Sequence, residues 1–269
     1  MNVKPLLLLL ITICISACAL PDADHHRNAE PAEPDNVSAI LAQLPPASDQ
    51  PQGERIGQIS AAFLGTAYQA DTLVGSPDTP EALVIHFNGV DCFTLLDYVQ
   101  ALSRSPDRIS FEANLDRTRY RDAEINYLKR RHFFSDWFAA KPYNADDVTR
   151  TLSQQTVTVM KQLNQKADGS EWIPGLGVTS RRITYIPARA ITPQVLKRIK
   201  TGDYVGIYAT TEGLDVSHVG IAVWHDGQLW FRNASSLAVN RKVVDSPFRE
   251  YMRSKPGMIV LRAVPLTAP

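Results

Sequence analysis

From Ser217 to Ser235 the apolar residues recur at about every second position, and a single dipeptide, Asp226-Gly227, interrupts them. Such alternation belongs to strands with one face buried. Asp-Gly between two runs of this kind is a strong signal for a two-residue hairpin turn, because both turn positions need a positive φ. The spacing predicts strands over 204–209, 217–224 and 229–235, and it also predicts a register. With Asp226 and Gly227 as the loop, His225 faces Gln228, Gly220 faces Asn233 and His218 faces Ser235. Residues two apart share a strand face. His218 and Asn233 therefore project from one side as diagonal neighbours, about 7–8 Å apart at the backbone. Gly220 beside them leaves room for a ligand or a helix end, and His225, at the turn, is expected to be solvated.

Helical spacing dominates the earlier chain. Val37, Ile40, Leu41 and Leu44 follow a possible Asn36 cap, and Ile56, Ile59 and Phe63 form a second helix ended by Gly65. A third helix is predicted from about Val90 to Leu102, with Phe93, Leu96, Val99 and Leu102 on its buried face. Asn88-Gly89 precede it, Asp91 is placed to cap it, and Cys92 falls in its first turn. Residues 119–140 are mixed, polar and aromatic, without a clear period. Thr192-Pro193 begins a short helix through Ile199, which Gly202-Asp203 ends. No internal repeat is present.

The N-terminus bears on compartment. Lys4 precedes the apolar run Leu6–Ile15, which is too short to span a bilayer. The run ends in Ile15-Ser16-Ala17-Cys18, the layout of a lipoprotein signal: residues 1–17 are removed and Cys18 is lipidated. Ordinary cleavage after Ala19 is the competing reading. Residues 18–35 are rich in Pro, Asp, Glu and Ala, lack aromatics, and read as a tether. His25 and His26 within it have no further ligands nearby. Residues 36–269 form the folded body, either one large domain or a core with an inserted lobe. Net charge is zero overall, but residues 51–269 hold 26 bases against 22 acids. That mild excess suits an anionic partner without demanding nucleic acid.

Of three cysteines, Cys14 leaves with the signal and Cys18 is acylated, so only Cys92 remains in the body and no internal disulfide can form. A lone thiol is either a buried structural residue or a nucleophile. A helix N-terminus lowers a thiol pKa through its unpaired N–H groups, so Cys92 is expected to react with iodoacetamide below pH 8.5. A cysteine nucleophile also needs an imidazole to take its proton and return it to the leaving group. The hairpin register selects His218, with Asn233 holding its ring in one orientation, the role of the third residue in Cys-His-Asn hydrolases.

Asp91-Cys92 opening a helix, Gly202-Asp203 before a strand, and Ser217-His218-Val219-Gly220-Ile221 resemble the NlpC-type papain-like cell-wall hydrolases. Longer stretches are similar to the N-acetylmuramoyl-L-alanine amidase-like subfamily, formerly a domain of unknown function. These are Phe63-Leu64-Gly65-Thr66-Ala67-Tyr68, Val90-Asp91-Cys92-Phe93-Thr94, Arg119-Tyr120-Arg121-Asp122, His132-Phe133-Phe134-Ser135-Asp136-Trp137, Gly213-Leu214-Asp215-Val216-Ser217-His218 and Ala234-Ser235-Ser236. The resemblance implies an α+β papain-like fold, with the nucleophile helix packed on an antiparallel sheet and a helical or loop insertion. It implies hydrolysis of the bond between N-acetylmuramic acid and L-alanine in peptidoglycan fragments, with no metal or cofactor, or else a γ-D-glutamyl-diaminopimelate endopeptidase or a catalytically weak wall-binding protein. Tyr68 matches a tyrosine that assists the oxyanion. Arg121, His132, Ser135, Asp136 and Trp137 match the insertion that shapes the substrate site. Relatives often carry His where this chain has Asn233, and Phe93 replaces a smaller residue. Ala19 after Cys18 favours the outer membrane, facing the periplasm.

Overall fold

The computed structural model describes residues 36–45 and 50–264. The signal peptide, the tether, His25, His26 and Cys18 lie outside them. Two short helices, α1 (Asn36–Ala42) and α2 (Gln52–Ala61), lead into the small strands β1 (Ala67–Tyr68), β2 (Val74–Ser76), β3 (Thr79–Ala82) and β4 (Gly89–Val90). Helices α3 (Cys92–Ser103) and α4 (Arg108–Arg119) follow. Then come 3-10 turns at Arg121–Ala123 and Tyr127–Lys129, α5 (Asp136–Ala139), β5 (Ala145–Asp147) and α6 (Thr149–Leu152). The second half runs β6 (Val157–Leu163), β7 (Thr179–Pro187), α7 (Pro193–Leu196), β8 (Tyr204–Tyr208), β9 (Val216–His225), β10 (Gln228–Ser235), β11 (Lys242–Pro247), α8 (Phe248–Met252) and β12 (Gly257–Ala263).

Ten strands make one sheet in the order β4-β1-β11-β10-β9-β8-β12-β7-β6, with β5 also on β12. Its neighbours are antiparallel except β1 and β4, which run parallel. Side chains alternate between its two faces. Val219, Ile221 and Val223 of β9 join Leu95, Leu96, Val99 and Leu102 of α3 in one core. Ala222 of the same strand joins Phe231, Phe248 and Met252 in a second core, under α6, α7 and α8. Leu96, Val99 and Leu102 of α3 are fully buried, as the spacing predicts, each contributing about 1.5–3 kcal/mol of burial free energy. Phe93 is only half-buried.

The β9–β10 register is the expected one from His225↔Gln228 as far as Ile221↔Arg232. Beyond that rung the two strands part. Ladder bonds alternate sides along a strand. Ala222 bonds across to Asp203 beside β8, so the amides of Ile221 and Val219 face β10. At Val219 no rung with β10 remains, and the opening between the strands receives the start of α3.

Candidate active site

The first turn of α3 is built by its cap. Asp91 Oδ1 accepts the backbone N–H of Phe93 at 2.9 Å and of Thr94 at 2.7 Å, while Thr94 Oγ1 accepts the Asp91 N–H at 2.9 Å. This reciprocal pair satisfies donors that a helix start otherwise leaves open, and it sets Cys92 as the first helical residue. The Cys92 sulfur reaches the opening between β9 and β10, where it meets the backbone N–H of Val219 as well as those of Cys92 and Phe93. The residue before Val219 is His218. Helix start and base are thus adjacent through one peptide unit.

The imidazole orientation follows from its partner. Asn233 Nδ2 donates to the Phe231 carbonyl at 3.1 Å and to Ser246 Oγ at 3.4 Å. A carbonyl can only accept, so the Asn233 amide has one sense, and its Oδ1 faces His218 Nε2 at 3.0 Å. Nε2 must then carry the proton, which leaves Nδ1 as the basic nitrogen. Phe231 packs edge-on against the ring, with centroids 6.0 Å apart. Gly220 is required here, because a Cβ would lie 2.5 Å from the Arg232 carbonyl oxygen and 2.6 Å from the Phe231 ring.

Electrostatics weigh against one expectation. Burial in the cleft pushes the Cys92 thiol up to about 12, and the Asp91 carboxylate adds to that rise against the three amides. Burial also holds His218 below its ordinary value. Both shifts favour the neutral forms, thiol and imidazole. The helix-terminus argument, which places thiolate formation below pH 8.5, omits both the desolvating walls and the charge of the capping residue itself.

Tyr68 of β1 sits beside the same turn, since β1 pairs with β4 as Tyr68↔Val90. Its phenol is raised first by burial and then by Cys92 and Asp91, with the Arg241 guanidinium 4.9 Å over its ring acting against them. It is therefore a protonated donor at neutral pH.

The insertion residues are held by contacts of their own. Arg121 donates to the Leu128 carbonyl across the 121–130 loop. His132 bonds the Tyr127 carbonyl through Nε2 at 2.7 Å, and burial lowers it to about 4, so it is neutral. Trp137 is wholly buried between Phe93, Phe134 and Tyr204; it belongs to the core. Ser135 and Asp136 are buried too. Arg181 Nη1 donates to Ser135 Oγ at 2.8 Å and to Asp136 Oδ1 at 2.7 Å. The Ser135 N–H donates to Asp215 Oδ2 at 2.7 Å, and Asp215 Oδ1 accepts the Val216 N–H at 2.8 Å. This cluster pins the start of β9, two residues before His218. His225 is not simply solvated: it stacks on Trp230 and lies 3.0 Å from both Asp226 and Asp245. Among the described residues no group of three His, Cys, Asp or Glu is placed to hold a metal ion, and no helix is long and apolar enough to cross a membrane.

Two residues near the site escape the sequence reading. Tyr251 at the end of α8 packs 4.7 Å from the Phe231 ring, and its phenol is raised to about 12, by burial and then by Cys92. The Lys255 ammonium stands 4.7 Å over the Tyr251 ring. Their i, i+4 spacing is visible in the sequence, but only folding brings them to the β9–β10 hairpin.

The sequence and fold match known proteins in the same region. The N-acetylmuramoyl-L-alanine amidase-like (AmiA-like) family matches residues 58–258. An N-acetylmuramoyl-L-alanine amidase from Bacteroides uniformis is similar at 29% identity and a TM-score of 0.68, over 80% of this chain and 99% of that one. A Legionella pneumophila protein has a TM-score of 0.71 at 22% identity, over 86% and 94% of the two chains, which bears on the fold alone. A Bacteroides fragilis protein carrying the name of a candidate xylanase shares 30% identity with a TM-score of 0.64, over 76% and 98%. A search among curated proteins gave no match. The chain belongs to the N-acetylmuramoyl-L-alanine amidase-like family.

Proposed function

We propose that the protein is a papain-like cysteine amidase that cleaves the N-acetylmuramoyl–L-alanine bond of muropeptides. The observation that carries this reading is the placement of Cys92 at a capped helix start, against the amide that follows an imidazole held by Asn233. In the first step Cys92 Sγ attacks the lactyl carbonyl carbon while its proton passes to His218 Nδ1. The oxyanion takes hydrogen bonds from the Cys92 N–H and the Tyr68 hydroxyl. The C–N bond then breaks as His218 returns the proton to the nitrogen of L-alanine, leaving a thioester on Cys92. Water, deprotonated by His218, attacks that thioester and releases the sugar carboxylate. Because the resting pair is neutral, His218 works as a general base during attack rather than as half of a preformed ion pair. Glycosidase chemistry would require two carboxyl groups about 5–9.5 Å apart, and the acid beside Cys92, Asp91, is engaged in the helix cap.

The protein acts, in this reading, from a lipid anchor at Cys18 on the outer membrane. Ser135, Asp136 and Trp137 support it through the fold, as the positioning network behind His218 and Cys92. Arg121 and His132 shape the neighbouring loop. The test is incubation of the protein with defined muropeptides and identification of products by mass. Intact muramic sugar plus a peptide beginning at L-alanine is expected, and Cys92→Ala should abolish it. Cleavage between γ-D-glutamate and diaminopimelate would move the assignment to an endopeptidase, and no Cys92-dependent turnover would leave a wall-binding protein.

A further inference from the structure

The positive charge of the protein is concentrated on one side of the sheet. Three stretches, 149–152, 193–200 and 248–255, hold seven bases and one acid, Glu250. Residues 51–269 hold 26 bases against 22 acids, so outside these stretches that body is slightly acidic, with 19 bases and 21 acids. The three stretches share one layer, because Leu152, Val195, Ile199, Phe248 and Met252 all enter the second core beneath them. Val195 and Ile199, like Phe248 and Met252, are four residues apart and lay one stripe on the sheet. The residues between them point outward: Lys197, Arg198, Arg249 and, just beyond, Lys200 and Arg253 are exposed, as is Arg150. Arg198 Nη1 donates to the Leu152 carbonyl at 3.0 Å and ties α7 to α6. Among the described residues none of the seven bases pairs with a carboxylate. The acids at the edge of the layer are engaged: Asp147 accepts the Thr149 N–H at 2.9 Å, and Asp203 pairs with Arg262 at 2.7 Å. The opposite face differs. There α3 and α4 hold three bases and three acids, with Arg119 paired to Asp97 and Arg108 to Glu112.

We propose that this basic layer docks on anionic phospholipid headgroups, so that the protein lies with α6, α7 and α8 against the membrane. The choice of a membrane as the partner rests on the anchor read at Cys18. Unpaired cations spread over three adjacent helices match a plane of headgroups, each base near the surface adding to the attraction. The layer carries none of the large exposed apolar side chains of the described residues, so the contact is electrostatic and superficial, without insertion. The anchor can reach it. Helix α1 starts at Asn36 and places Val37 and Leu41 in the first core, on the α3 side of the sheet. Residues 18–35 precede it, and a chain of that length extends to about 60 Å at most. A domain of this size is roughly 45 Å across, so a lipid at Cys18 can enter the bilayer that the opposite face touches. Docked in this way, the protein turns α3 and α4 away from the bilayer.

The test uses the mature chain, residues 18–269, carrying Cys18→Ala, which has no acyl group, so that membrane binding reports the protein surface alone. Sedimentation compares vesicles of phosphatidylcholine with vesicles that also contain phosphatidylglycerol. Binding is expected only to the anionic vesicles at low salt, and it should be lost at about 0.5 M salt, where exposed charges are screened within a few ångströms. Lys197→Gln, Lys200→Gln and Arg253→Gln together should weaken binding roughly a hundredfold, about fivefold for each charge. Arg117→Gln, Lys141→Gln and Arg182→Gln remove the same charge from exposed positions outside the layer and should weaken it by less than about threefold, since a base held away from the surface is screened. Both triple variants should keep the Tm of the parent chain. No binding to the anionic vesicles (whether or not isolated peptidoglycan is bound), equal binding to neutral vesicles, or equal losses in the two triple variants would overturn the docking surface. Turnover of muropeptides tests the amidase reading separately, whatever the vesicles show.

Discussion

Asp91 does two opposing things, and a single substitution separates them. Its Oδ1 caps α3, while its charge holds up the thiol of the next residue. Asn caps a helix about as well as Asp, so Asp91→Asn should keep the helix start and remove the charge. With the thiol at about 12, the thiolate fraction at pH 8 is about 10⁻⁴, against roughly 0.2 for a free thiol of pKa about 8.5. The higher basicity makes the thiolate intrinsically more nucleophilic, by about 0.4–0.5 log unit per pKa unit. Together these make alkylation of Cys92 by iodoacetamide about fifty-fold slower than that of a free cysteine at pH 8. A single charge close by shifts a pKa by about one unit at the low end of the usual range. Asp91→Asn should then alkylate about threefold faster across pH 7–9, after the same nucleophilicity correction. Intact-mass measurement of the alkylation rate against pH reads both numbers. In the unaltered protein the log rate should climb with pH through 9 without levelling. A plateau below pH 8.5, or a rate unchanged by Asp91→Asn, would refute the account and restore a thiolate–imidazolium resting pair.

Three further outcomes are expected. Asn233→Ala leaves His218 Nε2 and the Phe231 carbonyl without their partner, a loss of about 1–3 kcal/mol; kcat should fall roughly 5- to 150-fold, measured with muropeptide at saturation, with KM little changed. Gly220→Ala forces a Cβ into the Arg232 carbonyl and the Phe231 ring, and overpacking of about 1–3 kcal/mol should lower Tm by several degrees in calorimetry. His132 is lowered to about 4 from an unfolded value of 6.5; a depressed imidazole stabilises the neutral folded form above pH 6.5, and that contribution is lost as pH falls toward 4. Between pH 7 and 4.5 the loss amounts to about 2.5 kcal/mol, so urea unfolding at these two pH values should differ by this much, and His132→Asn should flatten the difference.

The parts of the site that were readable from sequence are those set by local chemistry. Asp91 and Thr94 are three residues apart and make the cap by themselves. Asp226 and Gly227 take the positive φ that their types favour, and that turn alone sets the rungs from His225↔Gln228 onward. What the hairpin rule missed is where the ladder stops. Its end at Ile221↔Arg232 lies where the start of α3 comes against β9, a contact between distant segments. Strand β12 sits between β8 and β7 near the sheet centre, yet it comes from the far end of the chain, and nothing local announces its neighbours. The β6–β7 hairpin is joined by a long connection containing Gly169, Gly175 and Gly177, all at positive φ, without a tight-turn signature. In the insertion, Ser135, Asp136 and Trp137 are residue types common in binding sites, and only packing shows that they are buried. Lys255 and Tyr251 come to the site through α8, at the opposite end of the chain from Cys92.

The Asp226-Gly227 turn also bears on the order in which the protein assembles. His218 and Asn233 lie 15 residues apart, so their meeting closes a small loop, which costs little chain entropy. Cys92 must arrive from a segment far earlier in the chain, a contact of high order that forms slowly. A chain caught partway thus holds an oriented imidazole without a sulfur beside it. The sulfur joins the imidazole only through that long-range contact, when the start of α3 comes against β9.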